Sequence, residues 1–295
     1  MALCTALVWG STLIASKKLI LAGLVPAEIM TCRFILGYVF LFLLYPKVHK
    51  VKSWTDELIF FAMGFFGGSL YFLLENSALY YTHASNIALI TSTVPIFTAL
   101  MTHFTVKGES LTGRFAVGSV VAFAGVALII FNGNFILKLS PMGDLLAFGS
   151  VVCWAIYCVV QKFFVGKYNA LYITRSCFFY GLLTIIPYFI FVKPFDFPLE
   201  GFAQPVVFGN LLYLGLVASA VCFSTWNTAI DKLGVIKTNV YVYLLPLVTI
   251  VASYFFLDER LTVFSAFRAK EPVWVKQSRT VFPLARRATA CRLYF

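Results

Sequence analysis

The chain has 295 residues, of which 61% are hydrophobic and 12% charged, with a mean hydropathy of +0.89. A soluble domain carries about 25% charged residues, so this composition excludes a soluble globular domain, a disordered chain, a disulfide-rich secreted module and a coiled coil. The net charge of +11 is uneven: residues 266–295 hold +6 and the preceding 265 only +5, mostly in short connections between apolar runs, which points to a lipid bilayer rather than nucleic acid as the surrounding partner.

At about 20 apolar residues per crossing the chain holds material for roughly nine membrane helices. Apolar runs predict them over residues 2–22, 27–45, 57–80, 84–106, 113–131, 142–163, 170–192, 206–230 and 235–257. The runs are continuous, as from Phe115 to Phe131, and lack the period-two alternation of a transmembrane β-barrel. Pro26, Pro46, Gly108, Gly133, Pro141, Pro194, Pro198 and Pro205 punctuate the connections. The even-numbered connections carry nine Lys/Arg and the odd-numbered ones five, which predicts a cytoplasmic N-terminus in a multi-pass protein of the cell (plasma or inner) membrane. The first positive charge, Lys17, follows the first apolar run, so that run is read as a retained span and not as a cleaved signal. Five of the seven cysteines, Cys32, Cys153, Cys158, Cys177 and Cys222, fall inside apolar runs. With no Cys-x-x-Cys pair and no His cluster they read as small apolar fillers; no metal site and no cofactor is expected.

The sequence repeats itself. A shift of 151 residues places Asn76 on Asn227, Ala78 on Ala229, Pro95 on Pro246, Thr98 on Thr249 and Phe104 on Phe255. Earlier in the chain a shift of 145 places Trp9 on Trp154, Lys17 on Lys162, Cys32 on Cys177 and Phe34 on Phe179. The first half contains five spans, an odd number, so the second copy runs through the membrane in the opposite sense. That predicts an all-α integral membrane fold of two inverted five-helix repeats, with a substrate site near mid-membrane between them. The first repeat covers 1–131, a connection 132–141 and the second repeat 142–265. A tenth span is expected after Thr262, where instead the Arg-rich segment 266–295 begins, with Pro272 and Pro283. It is either a true basic tail or a segment whose reading frame departs from the ancestral one.

Trp9-Gly10-Ser11-Thr12 in the first span, Ala78-Leu79-Tyr80-Tyr81-Thr82-His83-Ala84-Ser85 leading into the fourth, and the mid-span Pro95 form one set of marks. Gly108-Glu109-Ser110-Leu111-Thr112 and Asp258-Glu259-Arg260-Leu261-Thr262 close the two halves alike. In these features the chain resembles the drug/metabolite transporter superfamily, specifically its EamA-type members, over about residues 1–265. The resemblance implies ten helices in two inverted repeats, a central cavity and transport of small metabolites, often outward.

Several residues are candidates for the cavity. Pro95 and Pro246 sit at the centres of the fourth and ninth spans and strip the carbonyls of Thr91 and Val242 of their helical donors. Such a carbonyl must face protein, water or ligand; a plain packed kink is the alternative. Thr91, Ser92 and Thr93 precede one proline, and Tyr241 and Tyr243 the other. Glu75 either faces the cavity, to bind a cationic group or carry a proton, or reaches the headgroups. Asn76 and Asn227, at mirrored depths, are read as gate residues or as packing glue. Trp9 and Trp154, with Tyr157 one turn on, would form aromatic walls for a flat or cationic substrate, or pack against lipid or core. Glu28 and Arg33, bordering the second span, are placed to pair. Gly118, Ala122 and Gly125 line one face of the fifth span, for packing within the chain or against a second copy in a homodimer.

The reading is a secondary transporter of small organic metabolites, exporting by alternating access. A non-transporting or degenerate membrane scaffold is the alternative. A membrane enzyme is the least supported class, because no paired acids, His cluster or Ser/His set supplies catalytic residues.

Overall fold

The computed structural model describes residues 1–47, 53–106, 112–131 and 140–256. Among them there is no strand. The tail 266–295 and the position of a tenth span lie outside the described residues.

Eight helical stretches are long and apolar enough to cross a membrane: Ala2–Leu21, Pro26–Leu44, Trp54–Tyr81, Ala84–Thr105, Pro141–Phe164, Ala170–Phe191, Pro205–Leu233 and Val235–Phe256. They match eight of the nine predicted spans to within about three residues. The fifth predicted span is helix α8, Gly113–Phe131, 19 residues long.

Several crossings are interrupted, which the apolar pattern does not reveal. The first divides at Ser11 into α1 (Ala2–Gly10) and α2 (Thr12–Leu21). The second is the uninterrupted α3 (Pro26–Leu44). The third runs from α4 (Trp54–Gly64) through a π-helical segment, Phe65–Ser69, into α5 (Leu70–Tyr81). The fourth divides into α6 (Ala84–Thr91) and α7 (Val94–Thr105). In the second half, α9 (Pro141–Gln161) and α10 (Ala170–Phe191) are continuous, and α10 carries Pro187 inside it. The next crossing runs from α11 (Pro205–Leu212) through a second π segment, Tyr213–Val221, into α12 (Cys222–Leu233). The last consists of α13 (Val235–Asn239), a 3-10 segment Val240–Leu244 and α14 (Leu245–Phe256).

Cross-links fix which ends share a face. Lys167 reaches Asp56 at 2.5 Å, and Arg175 donates to the carbonyl of Lys47 at 2.8 Å. The start of α4, the end of α3, the end of α9 and the start of α10 therefore lie at one face, with Met1. Lys17 donates to the carbonyl of Leu79, and a methyl on Gly143 would touch Thr82. The start of α9 thus lies at the opposite face from the start of α1, and the halves are inverted.

Packing between the halves is reciprocal, as a twofold relation requires. A methyl on Gly181 would lie 2.7 Å from Phe34, and one on Gly37 would lie 2.7 Å from Phe178. A methyl on Gly64 would lie 2.3 Å from Cβ of Tyr180, and one on Gly215 would lie 2.7 Å from Cβ of Leu36. Phe34 stacks on its own counterpart Phe178 at 4.3 Å between centroids, and Trp9 meets Trp154 edge-on at 5.1 Å. Small residues let the backbones approach where no hydrophobic effect separates helix from lipid, and each aromatic pair adds about 0.5–1.5 kcal/mol beyond its area. Phe34 is paired here with Phe178, one residue before the Phe179 that the 145-residue shift aligns.

On α8 the structure departs from the packing reading of the small-residue face. Among the described residues nothing lies within 4 Å of a would-be Cβ on Gly118 or Gly125, and Val117, Val120 and Val121 are exposed.

Candidate functional site

Glu28 is the first correction. It does not pair with Arg33. It caps α3, accepting from the N–H of Val25 at 2.9 Å, and it accepts from the N–H groups of Asp196 and Phe197 at 2.9 and 3.1 Å. One buried carboxylate thus ties the start of α3 to the loop after α10. Glu28→Ala should lower stability by about 1–3 kcal/mol, because buried donors lose a charged acceptor. Thermal unfolding in detergent would measure it.

Arg33 instead lies inside the bundle, 2% exposed. Its Nε donates to Ser219 Oγ at 2.9 Å, in the second π segment, and its guanidinium sits 4.1 Å from the centre of the Phe72 ring. Arg33 lines a central cavity with Trp9, Tyr71, Glu75, Thr91 and Trp154. Glu75 is buried, and its carboxylate accepts from Tyr71 one turn earlier on α5 at 2.5 Å. A buried carboxylate and a buried guanidinium therefore face one aromatic space. Arg33 is held by a hydroxyl and a ring, and Glu75 by a phenol hydroxyl, which lowers the cost of burying each.

The cavity lies on the twofold relation. Its walls include Trp9 and Trp154, Phe72 and Phe223, Thr91 and Val242, and Val94 and Leu245, four matched pairs. The helix breaks explain the last two. Each proline stands second in the helix that follows the break, and the residue four places before it, Thr91 or Val242, borders the cavity. Pro95 and Pro246 themselves are buried behind this wall. The break at Ser11 adds a carbonyl, that of Gly10, which accepts from Thr249 Oγ1 at 2.6 Å. Trp9 is fixed by its Nε1, which donates to the carbonyl of Ala218 at 2.9 Å.

Of the residues singled out in the sequence, Trp9, Glu75, Thr91 and Trp154 line this cavity. The others do not border it. Ser92 is buried and donates to the carbonyl of Leu89. Tyr241 and Tyr243 lie in the 3-10 segment before Pro246. Asn76 is fully buried, and neither atom of its amide has a hydrogen-bond partner. Tyr157 stacks on Trp154 at 5.0 Å, and its hydroxyl donates to Asn227 Oδ1 at 2.8 Å. Sequence reasoning missed Tyr71, Phe72 and Phe223 and misplaced Arg33. A charge seven residues past Pro26, inside an apolar run, was the available signal.

The open space is about 40 Å³. That holds two or three waters, far below the roughly 300–1,000 Å³ of a pocket enclosing a drug-sized ligand. The cavity is small as it stands.

An apolar bundle of two inverted halves, with a small charged cavity where broken helices meet, defines a multi-pass membrane transporter. The profile of the EamA-like transporter family matches residues 1–131 and 141–268, and the chain belongs to that family. An "Uncharacterized transporter" of Archaeoglobus fulgidus is 29% identical over 271 residues, 89% of this chain and 90% of the relative. The "Uncharacterized transporter YyaM" of Bacillus subtilis is 30% identical over 69% of this chain and 66% of its own. A "Probable terminal-alkyne amino-acid exporter" of Streptantibioticus cattleyicolor is 27% identical over 65% of this chain and 63% of its own. A solved crystal structure shares the fold with a TM-score of 0.62, at 19% identity, over 91% of both chains.

Proposed function

We propose that the protein exports small organic metabolites by alternating access, its two repeats, residues 1–131 and 142–265, rocking about the central cavity. It does so as a transporter and not an enzyme, in the cell membrane, with its N-terminus in the cytoplasm. The observation that carries this reading is the set of matched residue pairs that build one cavity on the twofold relation. Two inverted copies of one unit can exchange conformations, and the exchange moves the opening from one face to the other.

The cavity chemistry narrows the cargo. Glu75 offers an acceptor for an ammonium group, Arg33 a donor for a carboxylate, and Trp9, Trp154 and Phe72 an apolar wall. A small apolar amino acid or an analogue carries all three features, and the relative named as an amino-acid exporter supports the same class. Glu75 also serves as the group that couples transport to protons.

Counterflow in proteoliposomes tests this. Vesicles holding the full chain and loaded with unlabelled phenylalanine should accumulate external labelled phenylalanine. Uptake no faster than in protein-free vesicles, for phenylalanine and for leucine, would reject the assignment of cargo.

A further inference from the structure

A second cavity, of about 460 Å³, opens at the face that holds Met1, between the ends of α9, α10 and α12. Its walls are mixed: Phe164, Leu171 and Ile173 border it beside the polar Gln161, Asn227, Thr228 and Asp231. Gln161 is 2% exposed, donates through Nε2 to the carbonyl of Asn227 at 3.3 Å, and leaves its Oε1 without a partner. Asn227, on the wall of this cavity, and Tyr157, bonded to it, form a layer of side chains that reaches the central cavity. Tyr157, in that layer, stacks against Trp154 and Phe223 of the central wall.

A buried hydrogen-bond chain closes the layer. Tyr157 on α9 donates to Asn227 on α12, and Asn227 Nδ2 donates to Thr174 Oγ1 on α10 at 2.9 Å. Ser224 Oγ meets the same hydroxyl at 3.3 Å. Three helices are thereby tied at one depth. The Tyr157 ring also lies against Gly67 of the first π segment, where a methyl would be 2.1 Å away. The chain spans the second half and presses on the first.

The mirrored position in the first half lacks this closure. Asn76 stands where Asn227 does, but the 145- and 144-residue offsets put Thr12 and Met30 where Tyr157 and Thr174 stand. Thr12 donates to its own helix, at the carbonyl of Trp9, and the Asn76 amide has no partner. A methionine cannot replace the hydroxyl that Asn227 uses.

We propose that the 460 Å³ cavity is a loading vestibule for cargo presenting hydrogen-bond donors, such as an ammonium group, and that the Tyr157–Asn227–Thr174 chain is the gate between it and the central cavity. The unpartnered Gln161 oxygen and the Asp231 carboxylate supply the acceptors. The gate gives the face that holds Met1 a latch that the mirrored residues Asn76, Thr12 and Met30 do not form. This rests on the alternating-access reading, but its test requires no transport.

The test uses the full chain in proteoliposomes, with its seven native cysteines replaced and a membrane-impermeant methanethiosulfonate reagent applied to one face at a time. T228C should react from the vestibule face. T91C, in the central cavity, should react slowly from that face. Adding Y157F or T174V, near-isosteric changes on different helices, should raise the T91C rate from that face about three- to tenfold, the effect of losing one buried hydrogen bond. The rate from the opposite face should not rise. An unreactive T228C, an unchanged T91C rate in both variants, or an equal rise from both faces would overturn the gate. Failure of phenylalanine counterflow with the labelling pattern intact would reject the cargo and leave the gate standing.

Discussion

If export is coupled to protons through Glu75, as proposed above, Glu75→Gln is expected to reduce it about ten- to a hundredfold and to make what remains insensitive to a pH gradient. The side chain keeps its size, so Tyr71 retains a neighbour that accepts its hydroxyl hydrogen, and the fold should persist. What disappears is the negative charge facing the cavity with Arg33 and the capacity to bind and release a proton. A contact to a charged group contributes about 1.5–3 kcal/mol, and each 1.36 kcal/mol is a factor of ten, which sets the range. Uptake by proteoliposomes under an imposed pH gradient measures it. A variant with wild-type pH response would remove Glu75 from proton coupling.

Gly64→Ala is expected to be the most damaging single-methyl change. The new Cβ would lie 2.3 Å from Cβ of Tyr180, 2.6 Å from the backbone nitrogen of Gly181 and 2.7 Å from the carbonyl carbon of Tyr180. None of these atoms is the free end of a side chain, so the helices themselves must separate. Overpacking of this kind costs about 1–3 kcal/mol, and backbone contacts place this site at the upper end. Gly118→Ala on α8 meets nothing within 4 Å and should be neutral. Thermal unfolding of the two variants in the same detergent gives the comparison; equal midpoints would mean that the contact between α4 and α10 does not hold the bundle together.

The crossings were legible because a bilayer imposes one simple rule: about twenty apolar residues per pass. Their interruptions were legible only where a residue type forces them. Pro95 and Pro246 remove donors, and the fourth and last crossings divide just before them. The π segments at Phe65–Ser69 and Tyr213–Val221 leave no such mark, since an extra residue in a turn changes neither composition nor length. Pro187 shows the converse, a proline that α10 accommodates. In the cavity, Trp9 and Trp154 were legible by repetition, and Thr91 by its distance from Pro95. Arg33 carried a signal, a charge seven residues into an apolar run, but not its partner; Glu28 carried none, because a charge near a span end has the same local sequence whether it reaches water, caps a helix or turns inward. Ser219, Asp196 and Phe197, all far along the chain, decide between those outcomes.

The reciprocal glycine contacts carry a consequence for directionality. Two identical copies related by a twofold axis in the membrane plane would be degenerate: facing inward and facing outward would have the same free energy, and the resting population would divide evenly. Any bias must then reside in positions where duplication has been broken. Most aligned positions differ, and three of the differences lie at the cavity or at the layer that closes it. Arg33 stands opposite Cys177, Glu75 opposite Trp226, and Thr174 opposite Met30. Evolution of a preferred resting orientation in such a scaffold needs no new architecture, only drift at mirror-related sites.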